Sequence, residues 1–200
     1  MSLIKYFFQS LIVYFLFLVF KLLGYKFASN LSRIIFHYIG PFFRSKILIK
    51  NNILRAFPNL NYIEVQKISE EMWGNYGRIL SDYIFIKKFR HSKINSHIEI
   101  IGKGYLEEVK KADKPVVFVS GHFDNFELMA MTLEKEGVNL AAIYRPLNNK
   151  FLNYYMEKIR KKYICKNQIK KGKGGTKELL HHFKQGTSIA LMIDQRVSQG

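Results

Sequence analysis

Residues 116–128 read VVFVSGHFDNFEL. Val116, Val117, Phe118 and Val119 are four apolar β-formers in succession, the signature of a strand buried on both faces. Ser120-Gly121 ends the run, and a helical pattern starts near Asn125 with Phe126, Leu128, Met129 and Leu133. His122 therefore belongs on a strand-to-helix turn at the carboxyl end of a strand. Open α/β sheets bind their ligands at that edge.

His122 and Glu127 stand five apart, a spacing that separates them on one continuous helix. With His122 on the turn and Glu127 in the first helical turn, the carboxylate can fold back and orient the imidazole as a general base. Asp124-x-x-Glu127 is equally a capping box, with Asp124 as N-cap and Glu127 satisfying backbone N–H groups. Spacing leaves both readings open.

Outward from this stretch, strands alternate with helices. Ile98–Ile101 reads as a short strand, Tyr105–Lys111 as a helix, Leu140–Tyr144 as a strand and Phe151–Lys162 as a helix. Tyr163–Cys165 reads as a short strand, Thr176–Lys184 as a helix and Ser188–Ile193 as the last strand. The alternation predicts an α/β fold with a mostly parallel central sheet flanked by helices. Upstream the pattern is helical: Asn30–Ile39, then Phe42–Phe57, then Tyr62–Lys87 with apolar residues every three to four positions. Trp73 and the tyrosines of this region read as core or membrane-interface packing.

Leu3–Leu23 is almost continuously apolar and aromatic, with Lys5 and Lys21 near its ends. It is long enough for a membrane span, and Gly24-Tyr25-Lys26 offers no small-x-small cleavage site. Lys26, Arg33, Arg44, Lys46 and Lys50 follow it against only Lys5 before it, which places the remainder in the cytoplasm. An uncleaved anchor is expected; an interfacial helix is the alternative. The expected division is an anchor over 1–28, a helical membrane-proximal region over 29–97 and an α/β domain over 98–200.

Thirty-two Lys and Arg face fifteen Asp and Glu, a net charge of +17. That balance calls for an anionic partner: nucleic acid, an anionic membrane face or an acidic protein. The apolar N-terminus weighs against nucleic acid. The single cysteine, Cys165, excludes an internal disulfide framework and a zinc-thiolate site. No metal-ligand spacing and no G-x-S-x-G elbow occurs. Lys171–Thr176 (KGKGGT) lacks the spacing of a phosphate-binding loop and no apolar strand clearly precedes it, so a nucleotide site is rejected.

Two further positions fall at strand ends. Arg145 follows the strand at 140–144 and suits bidentate phosphate contact, or pairs with a carboxylate such as Asp124. Asp194-Gln195 ends the last strand, again at the carboxyl edge, and reads as turn chemistry. Residues 144–177 hold eleven Lys or Arg and one acid, Glu157, enough to draw an acidic or phosphorylated partner.

These residues resemble a known family. GHFDNFE (121–127) is similar to the H-x-x-x-x-D/E motif of the lysophospholipid acyltransferase superfamily, and more narrowly to the H-F-x-N-W-E form of the bacterial lipid A late acyltransferases. Asn52-Ile53, Ala56-Phe57-Pro58, Asn75–Arg78, Tyr144–Asn149 and Asp194-Gln195 resemble further blocks in the same order. Asp124 stands where the family usually has Gly, and Phe126 where it usually has Trp. Members usually continue beyond the position of Gly200, so the family's C-terminal segment is expected to be lacking here.

The resemblance implies transfer of a fatty acyl chain from acyl carrier protein to a hydroxyl of a lipid A precursor, at the cytoplasmic face of the bacterial inner membrane. His122 and Glu127 would be catalytic; Asn125, Arg145, Asp194 and Gln195 would bind substrate. No cofactor, no metal and no nucleic acid partner is expected. The competing expectation is a membrane-attached basic protein that binds anionic lipid or nucleic acid without catalysis.

Overall fold

A computed structural model describes residues 3–92, 97–172 and 174–194. The chain forms two compact units, one from residues 13–85 and the other from 1–12 with 86–200.

The first unit is helical. Helix α1 (Leu3–Leu23) contributes its second half, and Gly24 at φ 76° turns the chain into α2 (Tyr25–Ile39). A single 3₁₀ turn, Gly40–Phe42, leads to α3 (Lys46–Ala56), whose N-cap Ser45 accepts the Leu48 N–H at 3.4 Å. Most of α4 (Tyr62–His91) completes the unit. Helices α2 and α4 approach closely because Gly77 has no side chain: a Cβ there would run into the backbone carbonyl of Ser32. Ser32 in turn donates its hydroxyl to the Gly77 carbonyl at 2.6 Å. Of the described helices, α1 alone is long and apolar enough to cross a membrane.

The second unit is α/β. Its strands are β1 (Val117–Ser120), β2 (Leu140–Tyr144), β3 (Asn167–Lys170) and β4 (Ser188–Met192), all parallel in the order β1-β4-β2-β3. Helices α5 (Lys103–Lys111), α6 (Glu127–Lys135), α7 (Lys150–Ile159) and α8 (Gly175–Lys184) precede or connect them. Met131, Leu140, Ala141, Ile164, Ile169 and Ile189 form the core around the central strands. The α/β class and parallel sheet expected from the sequence are present.

Three sequence readings are corrected. The run at 116–119 forms a strand, Val117–Ser120, but not one buried on both faces: β1 stands at the end of the strand order, with Val117 and Val119 46% and 54% exposed. Ile98–Ile101 is not a strand: residues 98–100 are irregular and Ile101 sits in a turn with its side chain 91% exposed. Among the described residues these four pair with no strand, and Gly102 at φ 79° turns the chain straight into α5. Tyr163–Cys165 is not a strand either. Arg160–Ile164 is a π-helical turn, and the strand lies further on, at Asn167–Lys170. That edge strand carries one buried apolar side chain, Ile169, so its composition hides it.

The first turns of α1 belong to this α/β unit and are tied to the end of β2. Asn149, the buried N-cap of α7, accepts the N–H groups of Phe151 and Leu152 at 3.1 and 3.3 Å. Its amide donates to the Tyr6 carbonyl at 2.9 Å, its Oδ1 lies 3.1 Å from the Ser10 hydroxyl, and Phe151 meets Phe7 edge-on. Ser10 and Asn149 are thereby satisfied inside the packed contact.

Candidate active site

The register of β1 and β4 places two side chains together. Ser120 pairs with Met192, so the residues two further on, His122 and Asp194, leave adjacent strands side by side at the carboxyl edge. The Ile193 N–H donates to the Ser120 carbonyl at 3.0 Å and carries the pairing one step past the strands. Asp194 then holds His122 twice. Its Oδ2 accepts the His122 backbone N–H at 3.0 Å, and its Oδ1 lies 2.8 Å from Nδ1 of the ring. Gly121 lies close under this pair: a Cβ there would touch the Asp194 Cβ at 3.4 Å and would displace the exposed Phe123 ring, 2.9 Å away. The backbone N–H and ring of His122, in that order, lower the Asp194 carboxyl below its ordinary range.

An ionised Asp194 accepts only, so the ring proton belongs on Nδ1 and Nε2 is left as the basic nitrogen. The Phe126 ring meets the imidazole nearly edge-on, centroids 4.6 Å apart, and restricts its tilt.

Glu127 has a different partner from the one the sequence suggested. It is the first residue of α6, 7% exposed, and its carboxylate accepts from Arg160 Nε at 2.8 Å and again from Nη2. The carboxylate bonded to His122 is that of Asp194. The capping box is also absent: α6 starts at Glu127 with Phe126 as N-cap and no side-chain cap, while Asp124 adopts a left-handed conformation at φ 43°. A helix beginning two residues later than expected moves Glu127 from the third helical position to the first.

Arg160 extends the network. Its guanidinium lies 5.6 Å from the centre of the Tyr144 ring. The Tyr144 hydroxyl donates to Glu157, which also accepts from Asn153 at 2.9 Å and pairs with Lys170 at 3.3 Å. Burial, then this bond, pushes the Tyr144 phenol up, and the same bond is the main cause that lowers the Glu157 carboxyl.

A cavity of about 270 Å³ opens at this sheet edge, with His122, Glu127, Arg145, Arg160 and Lys171 among its lining residues. Arg145 follows β2, is exposed, and has no ion pair among the described residues, so the alternative pairing with Asp124 does not form. Lys171 follows β3, its N–H on the Tyr144 carbonyl at 2.9 Å. Asn125 is half-buried on the turn, where its carbonyl accepts the Leu128 N–H at 3.1 Å. Gln195 lies outside the described residues. No group of three metal-ligating side chains occurs among the described residues.

Each strand thus delivers one polar residue to the same edge: His122, Arg145, Lys171 and Asp194. A basic imidazole nitrogen beside three cations can take a proton from a hydroxyl while holding an anionic substrate. Sequence reasoning passed over Arg160 and Lys171 as members of a basic run. For Arg160 a signal was present: after Arg145 it is the one arginine among the lysines of 144–177, and bidentate pairing favours arginine. A sequence model of the family described as bacterial lipid A biosynthesis acyltransferase matches residues 1–200. No curated protein matches the chain.

Proposed function

The chain belongs to the bacterial lipid A biosynthesis acyltransferase family, and from that premise we propose that it transfers a fatty acyl chain from an acyl carrier protein thioester to a hydroxyl of a lipid A precursor. The observation that carries the reading is the His122–Asp194 pair, set at the mouth of a cavity lined by Arg145, Arg160 and Lys171.

The hydroxyl gives its proton to His122 Nε2 as its oxygen attacks the thioester carbonyl carbon. Collapse of the tetrahedral intermediate breaks the C–S bond, and the imidazolium returns the proton to the departing thiolate. Asp194 keeps the ring in the required tautomer and balances the imidazolium charge. No acyl-enzyme is formed, and the thioester supplies the activation. Glu127 fixes Arg160 in the cavity wall, and Arg160 and Arg145 hold phosphate or carbonyl oxygens of the substrates. Asn125 and Gln195 are assigned to substrate contact through the family motif. The apolar α1 and the excess of cations after it support attachment to the inner membrane with the site on the cytoplasmic face. Because its first turns pack on Asn149 and Phe151, α1 serves as an interfacial helix.

The test is transfer from acyl carrier protein thioester to a lipid A precursor, read as the mass gain of the acceptor. His122→Ala should lose about 10²–10⁴-fold in kcat while the thermal midpoint stays within a few degrees of wild type. Normal turnover by that variant would end the mechanism.

A further inference from the structure

We infer a second lipid site in the helical unit of residues 13–85: a hollow that takes the phosphate of an anionic phospholipid beside an aromatic tip that enters the bilayer.

The tip is the connection between α2 and α3. Gly40 lies against the Trp73 indole, where any Cβ would collide with the ring. Pro41 occupies the 3₁₀ turn, and the Phe43 N–H closes it on the Gly40 carbonyl at 2.9 Å. The turn is therefore fixed from below, and Phe42 and Phe43 project from it at 88% and 70% exposure. Ile47 and Tyr38 on either side are 73% and 69% exposed. Two phenylalanines on one fixed turn, flanked by Tyr38 and Ile47 and interleaved with Arg44, Lys46 and Lys50, have the composition of a segment held at a membrane interface. Lys and Arg there reach headgroup phosphates while the rings enter the acyl boundary.

A hollow of about 220 Å³ opens beside this tip. Pro41, Lys46, Lys50, Gln66, Ser69 and Trp73 are in its wall. Trp73 is 8% exposed and forms part of the wall, so what enters the hollow changes the surroundings of its ring. Lys46 and Lys50, one helical turn apart, supply the countercharge for a phosphate. The acid in the wall, Glu70, accepts from Gln66 Nε2 at 2.9 Å. Charge in the hollow and the apolar collar beside it together select an anionic phospholipid in a bilayer, not a nucleic acid or a free anion.

Trp73 is the chain's single tryptophan, so its emission reports on this hollow alone. The full chain in neutral detergent micelles is titrated with phosphatidylglycerol, phosphatidylcholine, inorganic phosphate or a single-stranded oligonucleotide. Phosphatidylglycerol should shift Trp73 emission saturably, and its acyl-brominated form should quench it, while the other three should do neither. Lys46→Gln with Lys50→Gln should weaken the phosphatidylglycerol response about 30-fold, from roughly 1 kcal/mol per cation. Phe42→Ala with Phe43→Ala, both exposed and so neutral for folding, should weaken it about tenfold or more. An equal response to phosphate or oligonucleotide would overturn the proposal. So would an unchanged emission in phosphatidylglycerol, or the same affinity in the lysine double variant.

Discussion

A histidine base needs one ring nitrogen held and the other open, and here the holding group is supplied by Asp194. Asp194→Asn keeps size and can still accept a hydrogen bond, but loses the charge that balances the imidazolium. We expect a kcat loss of about 10²–10⁴-fold with KM for the acceptor within a few-fold of wild type. Steady-state kinetics at saturating donor check this; a silent variant would show that the pair is structural. The same residue has a pH signature. His122 depresses the Asp194 carboxyl below its ordinary 3.8, so the ionised form is favoured in the folded state. That contribution to stability is present above the unfolded value and is lost as pH falls through the folded one. The wild type should therefore lose more thermal stability between pH 5 and pH 2 than Asp194→Asn does, as melting at both pH values would show. Glu127→Gln makes a different prediction. Arg160 and Glu127 have side chains only 11% and 9% exposed, and removing the carboxylate charge takes away the anion that compensates a largely buried guanidinium. The cost should be roughly 3–5 kcal/mol of stability, read by denaturant melts. A silent Glu127→Gln would instead mean that solvent reaches Arg160.

At the level of elements, close packing by glycine explains one of the sequence blocks that resemble the family. In Asn75–Arg78, Gly77 allows the Ser32 carbonyl of α2 to lie against α4. Gly77→Ala places a methyl group into a backbone carbonyl, which cannot rotate away as a side chain could. The variant should be destabilised by about 1–3 kcal/mol, against the gain of about 0.5–1 kcal/mol that alanine ordinarily brings over glycine in a helix interior. An unchanged midpoint would mean the two helices slide apart at no cost. Which elements could be read from sequence follows from the same locality. Runs such as Val116–Val119 and Leu140–Tyr144 announce themselves as strands, because β-branched and aromatic residues mark them. Asn167–Lys170 does not, since an edge strand can be polar and this one contributes one buried side chain, Ile169. An apolar run does not by itself mean burial on both faces: only β2 is largely covered, while Val117 and Val119 of β1 are exposed. The start of α6 was also misread. A left-handed Asp124 costs energy that local sequence does not advertise, and it delays the helix to Glu127.

At the scale of the molecule, what escaped the sequence was adjacency. His122 and Asp194 each lie at a recognisable strand end, yet only the insertion of β4 beside β1 makes them partners, and that pairing spans 72 residues. Local spacing instead offered Glu127, five residues from His122. Net charge, by contrast, is a property of the whole chain and was legible from composition alone. Its excess of +17 is concentrated over 144–177, where Lys158, Lys161 and Lys162 are exposed and lie outside the cavity wall. Under the proposed function these cations would draw the acidic donor protein through the field they set up, within about 8 Å at physiological ionic strength. A field of this kind raises the encounter rate and leaves the chemical step alone. Reversing all three to glutamate should therefore raise KM for the carrier-bound donor about tenfold or more at low salt, with kcat at saturation unchanged. The dependence of kcat/KM on ionic strength should flatten at the same time, and wild type and variant should converge in high salt. A fall in kcat with KM unmoved would place these lysines in the chemistry. Identical kinetics at every salt concentration would mean the donor arrives by another face.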